Sequence, residues 1–150
     1  MVESHLDRLL KLFEPFFGCS LKADENQTCL IQLGSGLKVQ IELSREDRIL
    51  IGCELSPITG RYQELLIKEA LKANDLSPPS LGSFGFSQKS SALILFTFID
   101  PIELKTDLVN SLLPAFLAKA KTWQEAIQNN QLPTESEKNE KAANSKMFGL

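Results

Sequence analysis

The chain has few of the side chains that usually carry out chemistry. It contains one histidine, His5, and three cysteines, at positions 19, 29 and 53, whose spacing matches no metal site. The segment Gly82-Ser83-Phe84-Gly85 lacks the lysine and the following helix of a phosphate-binding loop. The carboxylate pair Glu46-Asp47 falls in a polar turn, where solvated side chains are expected. These shortages favour binding over catalysis and predict neither a cofactor nor a metal.

The chain also has no basic excess and no long apolar run. Its net charge is −3 and its pI is about 5.2, and lysine and arginine are scattered. Nucleic-acid binding needs a positive footprint, so we expect none. No apolar stretch approaches the ~20 residues that span a bilayer, and acidic residues precede the first apolar run, so we expect no signal peptide and no stable membrane association. An odd number of cysteines fits a reducing compartment, with free thiols as small core side chains.

The apolar residues that are present follow an ordered pattern. Val2, Leu6, Leu9, Leu10 and Phe13 share one helical face, which predicts a helix over 2–13. Three runs with strand character follow, and the second and third alternate apolar and polar residues. They predict an antiparallel meander over 28–33, 37–43 and 49–55.

The second half of the pattern completes an α+β fold. Thr59 precedes a predicted helix over 60–73, and a short edge strand within 81–86 and an apolar strand over 92–98 follow. Asp100-Pro101 predicts the start of a last helix, and Pro114 predicts a kink or break near Leu113. We therefore expect an antiparallel twisted sheet of about five strands with three helices, in the order α-β-β-β-α-β-β-α.

The length predicts one domain, and the composition places its end. Residues 1–129 carry the apolar pattern, whereas 130–150 are polar and have almost no apolar anchor. We expect this tail to be disordered, because it cannot bury enough apolar surface to offset the entropy of ordering.

The aromatic residues are the most informative side chains. Nine phenylalanines accompany one tyrosine and one tryptophan. Phe13, Phe16 and Phe17 cluster near the first helix, and four more lie between positions 84 and 98. They are either core or exposed apolar surface that marks a protein-binding site. The tyrosine-bearing face of the 60–73 helix likewise packs either on its own sheet or against a second copy across a two-fold axis.

This order of elements resembles the class I type III secretion chaperones, the family typified by the Tir chaperone CesT. The first helix with its Phe16-Phe17-Gly18 exit, the alternating strands and the Leu65-Leu66…Asn74 end of the second helix are similar to that family. So are the glycine-containing segment from Gly82 and the late Trp123 of the last helix. The likeness covers residues 2–128, and Pro114 and the long tail depart from it.

The resemblance implies a homodimer in the bacterial cytoplasm that has no cofactor. Such chaperones hold the N-terminal region of one or more secreted effectors in extended form, soluble and competent for the secretion ATPase. One implied effector groove comprises Leu6, Leu9, Leu10, Phe13, Phe16, Phe17 and Leu30. A second comprises the apolar parts of 92–98 with Leu112 and Phe116. The implied dimer interface comprises Tyr62, Leu65, Leu66, Glu69, Phe84 and Phe86.

Two alternatives remain open at the level of sequence. The first is a protein-binding adaptor or regulatory domain of the same fold that works outside secretion. The second is an enzyme with an unrecognised site, which the lack of a credible base or nucleophile disfavours.

Overall fold

The computed structural model describes residues 4–74 and 82–133. Four helices and five strands occur in these ranges. In chain order they are α1 (His5–Leu10), α2 (Glu14–Phe17), β1 (Thr28–Gln32), β2 (Lys38–Leu43), β3 (Ile49–Glu54), α3 (Gly60–Ala73), β4 (Ser83–Ser87), β5 (Ala92–Ile99) and α4 (Thr106–Gln128).

The five strands form one antiparallel sheet in the order β1-β2-β3-β5-β4. The first three strands are the predicted meander, and β5 pairs with β3 so that β4 lies at the far edge. This sheet with its helices confirms the predicted α+β class. Strands β1 and β4 are the two edges of the sheet.

One face of the sheet forms the core. Val39, Ile41, Ile51 and Leu95 alternate with outward-pointing residues and are completely buried. The side chains of a strand alternate between the two faces, so every second residue of each run meets the helices. We call this covered side the inner face and the opposite side the outer face.

The last helix packs closely against the inner face at Gly82. This residue has φ of 140°, and a Cβ there would lie 3.1 Å from Leu95 Cδ1 and 3.2 Å from Phe116 Cε2. Nearby, the rings of Phe84 and Trp123 pack with centroids 4.2 Å apart. Only glycine fits this backbone conformation and this spacing together.

The first helical segment is shorter than predicted. Ser4 caps α1 and exchanges hydrogen bonds with Asp7, whose side chain also accepts a bond from the Ala23 N–H at 2.8 Å. The chain turns after Leu10, and the one-turn helix α2 ends at Gly18 in the left-handed conformation.

The last helix begins later than predicted. The carboxylate of Asp100 accepts a hydrogen bond from the Ile102 N–H, which closes a turn, and α4 starts only at Thr106. Asp100 therefore caps a turn and not the helix, which corrects the prediction. Pro114 lies inside α4, and the helix continues through it from Thr106 to Gln128 without a break.

The domain extends slightly past its predicted end. The Tyr62 hydroxyl lies 2.6 Å from the Gln131 carbonyl and 3.2 Å from the Ala126 carbonyl, and Pro133 is buried. The rest of the predicted tail, from 134, lies outside the described residues, as do Val2 and position 81 of the predicted edge strand. Of the free cysteines, Cys29 and Cys53 are buried as expected, whereas Cys19 is exposed.

Candidate functional site

The outer face of the sheet carries a broad groove of about 810 Å³. Apolar side chains from four strands line it, together with polar residues at its margins. The apolar lining residues are Leu30, Leu37, Leu50, Leu55, Phe86, Ile94, Phe96 and Phe98.

Two glycines give the groove its depth. Gly52 stands between Gln40 and Phe96 in the middle of the sheet, and Gly85 lies in the edge strand beside Ile94. Without side chains, both expose the floor formed by the neighbouring rings. A Cβ at Gly52 would meet its nearest atoms at 3.9 Å, so the glycine is not required by close packing. Its absent side chain leaves space that a partner can occupy.

One end of the groove is aromatic and partly exposed. The rings of Phe96 and Phe98 pack edge to face with centroids 6.0 Å apart, and Phe98 is 41% exposed. The Arg48 guanidinium lies 4.3 Å from the Phe98 ring centroid. Glu42 of β2 and Glu54 of β3 also line the groove. The surface thus combines an apolar floor with charges of both signs at its margin.

The edge of β1 opens directly onto this groove. Leu33 N–H bonds to the Leu37 carbonyl, which fixes the ladder so that Thr28, Leu30 and Gln32 point their N–H and C=O groups away from β2. Asp24 satisfies both groups of Thr28, at 3.0 Å through its carboxylate and at 2.8 Å through its N–H. Within 4–74 and 82–133, no hydrogen bond reaches the outward groups of Leu30 and Gln32. Leu30 is also 64% exposed, so this edge offers both pairing groups and apolar surface.

Asn74, at the C-terminal end of α3, closes the β4 edge at Phe84. Asn74 accepts a hydrogen bond from the Phe84 N–H at 2.7 Å and donates one to the Phe84 carbonyl at 3.0 Å. The Asn74 carboxamide therefore occupies the position that the backbone of another strand would take.

A second apolar surface follows α1. The rings of Phe16 and Phe17 pack edge to face at 5.1 Å, and both side chains are half-buried against the core. Gly18 then turns the chain away with φ of 69°. These rings keep apolar surface near the N-terminal end of the domain.

The described residues offer little material for catalysis. They contain no group of three or more histidine, cysteine or acidic side chains that could hold a metal ion. Burial raises the pKa of the Cys53 thiol to about 11, which keeps it protonated and unreactive at neutral pH. No helix among them is long and apolar enough to cross a membrane.

A family model settles where this fold belongs. Residues 8–124 match the Tir chaperone protein (CesT) family. The chain belongs to this family. The predicted resemblance is thereby confirmed.

The CesT-family chain is also similar to solved structures. A chain of the HopA1–SchA chaperone–effector complex aligns with TM-score 0.61 and 19% identity, covering 79% of this chain and 91% of that one. The Yersinia pestis type III secretion chaperone SycH in complex with a YscM2 fragment aligns with TM-score 0.63 and 18% identity, covering 78% and 98%. The ExsC–ExsE complex gives 0.62 and 20%, covering 83% and 94%. Sequence comparison with curated proteins gives no match.

The structure of this CesT-family protein divides the predicted site residues into two groups. Six of them are part of its own core: Leu6, Leu10, Phe13, Leu66, Phe84 and Phe116. The prediction that these six residues lie in an open groove or interface is wrong. Periodicity identifies the residues that share a face but not the element that covers that face. The other predicted residues keep surface area: Leu9, Phe16, Phe17, Leu30, Tyr62, Leu65, Glu69, Phe86 and Leu112.

The sequence also left part of the groove unrecognised. In β3, Leu50 and Gly52 alternate with the buried residues Ile49, Ile51 and Cys53, and the alternation of this strand predicts only its inner face. A signal was present, because the outward positions of β2 are Lys38, Gln40 and Glu42, whereas those of β3 begin with leucine and glycine. An apolar outward face next to a polar one marks exposed apolar surface.

Proposed function

We propose that this CesT-family protein binds the N-terminal region of one or more secreted effector proteins in extended form, as a type III secretion chaperone, and keeps them soluble and competent for secretion. The observation that carries the proposal is the open edge of β1 beside an apolar groove. The complexes of HopA1 with SchA and of ExoT with SpcS pair such chaperones with effectors, which supports the proposal by similarity of fold.

The edge and the groove suit an extended partner. A segment that pairs with Leu30 and Gln32 gains up to four main-chain hydrogen bonds and adds a sixth strand to the sheet. Every second side chain of that segment then lies on the outer face, where apolar residues meet the groove. Backbone pairing gives affinity with little dependence on sequence, and the groove selects for apolar side chains at alternate positions.

Binding an unfolded segment requires a large contact area. The partner loses conformational entropy when it is ordered, so its affinity must come from extended burial and not from one pocket. The groove, the β1 edge, the Phe16–Phe17 surface and the exposed part of α4 around Leu112 together offer a route around the domain. No nucleotide or metal enters this process, and we propose binding without catalysis.

We further propose a homodimer in the bacterial cytoplasm. The exposed side of α3 supplies Leu65, which is 38% exposed, beside Tyr62 and Glu69, and Phe86 of β4 adds apolar area. A two-fold contact places the same patch on both copies, so these few side chains count twice. The secretion ATPase is the proposed recipient of the loaded chaperone.

The experiment is to identify and map the bound segment. The tagged chain is purified from its bacterial host, the co-purifying protein is identified, and the segment that survives limited proteolysis is made as a peptide. Hydrogen exchange of the chain with and without that peptide then locates the contact. Protection of the β1 amides by an extended N-terminal segment supports the proposal.

Two outcomes contradict it. A folded partner that leaves the β1 amides unprotected favours the adaptor of the same fold. A segment that binds only the inner-face helices shows that the groove and the β1 edge are not the site. Sedimentation of the free chain tests the dimer separately, since the homodimer has twice the chain mass of 16.7 kDa.

A further inference from the structure

One end of the outer-face groove lies beside the C-terminal half of α4. Gln124 of α4 lines the groove there together with Ser56. The Gln124 Oε1 accepts a hydrogen bond from the Ser56 N–H at 2.9 Å, and its Nε2 donates one to the Ser56 hydroxyl at 2.6 Å. These two bonds hold the helix against the sheet at the end of the groove.

The chain folds back toward this point after α4. Asn130 has φ of 52°, and the Gln131 N–H bonds to the Ala126 carbonyl at 2.8 Å. Ala126 is two residues from Gln124 on the helix, and the three residues from Gln131 to position 134 extend at most about 11 Å. The segment 134–150, which lies outside the described residues, therefore starts within about 20 Å of Gln124.

This segment joins a polar stretch to an apolar cluster. From 134 to 146 the apolar residues are two alanines, whereas Met147, Phe148 and Leu150 follow close together. A stretch of about 13 residues extends at most about 45 Å. The groove runs from Glu54 to Leu50 along β3, a distance of about 13 Å. The cluster can therefore reach every part of the groove.

The spacing of the cluster suits an extended contact with the groove floor. Side chains two positions apart in an extended chain point the same way, so Phe148 and Leu150 face one side and Gly149 the other. The floor keeps apolar surface for them, because Phe98 is 41% exposed and Leu50 is only partly buried. Exposed apolar surface of this kind marks a binding site.

The charges of the two surfaces are also complementary. Among the charged side chains that line the groove, Glu42 and Glu54 outnumber Lys38. Lys146 directly precedes the apolar cluster, so docking brings a cation to a margin with two carboxylates. A segment tethered on the same chain acts at an effective concentration on the order of 1 mM, so even a weak contact is populated.

We propose that residues 147–150 occupy the outer-face groove of their own chain and compete there with an extended partner. The segment covers the apolar floor while no partner is bound and is displaced when one binds. The competition rests on the proposed function, but the docking of the segment does not.

Methyl NMR of the full chain tests the docking. A phenylalanine ring over the floor shifts the methyl resonances of Leu50 and Ile94, so both should move when Phe148→Ser removes the ring. The buried Val109 methyls should stay in place and report an unchanged core. The matched control is Ala143→Ser in the same polar stretch, which should move none of these resonances.

Two results overturn the docking. The first is a set of Leu50 and Ile94 resonances that is identical in the wild type and in Phe148→Ser. The second comes from mixing isotope-labelled Phe148→Ser chain with unlabelled wild type: wild-type shifts in the labelled chain show that the segment docks on a second copy. Leu150→Ser should move the same resonances as Phe148→Ser, so the result does not depend on one variant.

Binding of the mapped effector segment tests the competition. Its Kd should be roughly three- to tenfold lower for Phe148→Ser than for the wild type, because the docked segment leaves the wild-type groove open only part of the time. Moved methyl resonances with an unchanged Kd overturn the competition. If no effector segment binds either chain, the chaperone function fails, and the methyl resonances still decide the docking.

Discussion

Filling the groove at Gly52 should separate partner binding from folding. In Gly52→Val, the new Cβ meets Ile94 Cγ2 and the Leu95 carbonyl at 3.9 Å, an ordinary van der Waals distance. Valine also prefers strands, and glycine loses more backbone entropy on folding, so the variant should be more stable by up to about 1 kcal/mol. Few substitutions in a binding site are expected to raise stability.

The same side chain should weaken binding. It occupies the floor between Gln40 and Phe96, where a partner's apolar residue would be buried. Excluding one such anchor costs about 1.5–3 kcal/mol, which corresponds to a Kd roughly 10- to 150-fold higher. Calorimetric titration with the mapped effector segment gives the Kd, and urea denaturation gives the free energy of unfolding.

The control and the refutation follow from the same geometry. Gly34 lies in the turn between β1 and β2, has open space around it and does not line the groove, so Gly34→Val should leave the Kd unchanged. If Gly52→Val binds as tightly as the wild type, the groove does not hold the partner. If it loses binding and stability together, the reasoning about space at Gly52 is wrong.

Three other predictions concern stability and reactivity. Gly82→Ala should lower the free energy of unfolding by about 3 kcal/mol, because the new Cβ is strained at positive φ and lies 3.1 Å from Leu95 Cδ1. In the same denaturation series, Gly34→Ala should be nearly neutral, because the space around Gly34 is open. A thiol reagent should label Cys19 rapidly in the folded chain but Cys53 only on unfolding. Because the pKa of Cys53 rises from 9.0 to about 11 on folding, the free energy of unfolding should fall as the pH rises through that window. A free energy of unfolding that stays constant over this pH range would contradict the prediction. Hydrogen bonds from the Ala23 N–H and from Ser4 hold the pKa of Asp7 below its usual value. Their contribution to the free energy of unfolding is therefore present above pH 3.8 and should be lost on acidification. The Asp7→Ala variant should not show this loss.

The local elements could be predicted from the sequence because they depend on short-range patterns. The 60–73 helix is found as Gly60–Ala73, and the alternating run at 37–43 is found as Lys38–Leu43. Side chains alternate with a period of two in a strand and about 3.6 in a helix, and this geometry needs no knowledge of the rest of the chain. The predicted start of α4 was wrong for the same reason, because Asp100 and Pro101 also suit the turn that they form.

The covering of each face could not be predicted. Leu6 and Leu9 look alike in sequence, yet Leu6 is fully buried and Leu9 keeps surface area. Leu50 and Ile51 are neighbours in one strand, and only the outward one lines the groove. Burial depends on which element packs against a face, and that element comes from a distant part of the chain.

The elements and their order follow from the spacing of residues that are near one another in the chain, and that order resembles the CesT family. Which strand edge is open, and which apolar face is left for a partner, depends on contacts between elements that are distant in the chain. The Asp24–Thr28 closure is local, but the closure of β4 joins Asn74 at the end of one element to Phe84 in another. Such contacts cannot be predicted from the sequence, because the backbone groups that pair across elements carry no side-chain pattern of their own.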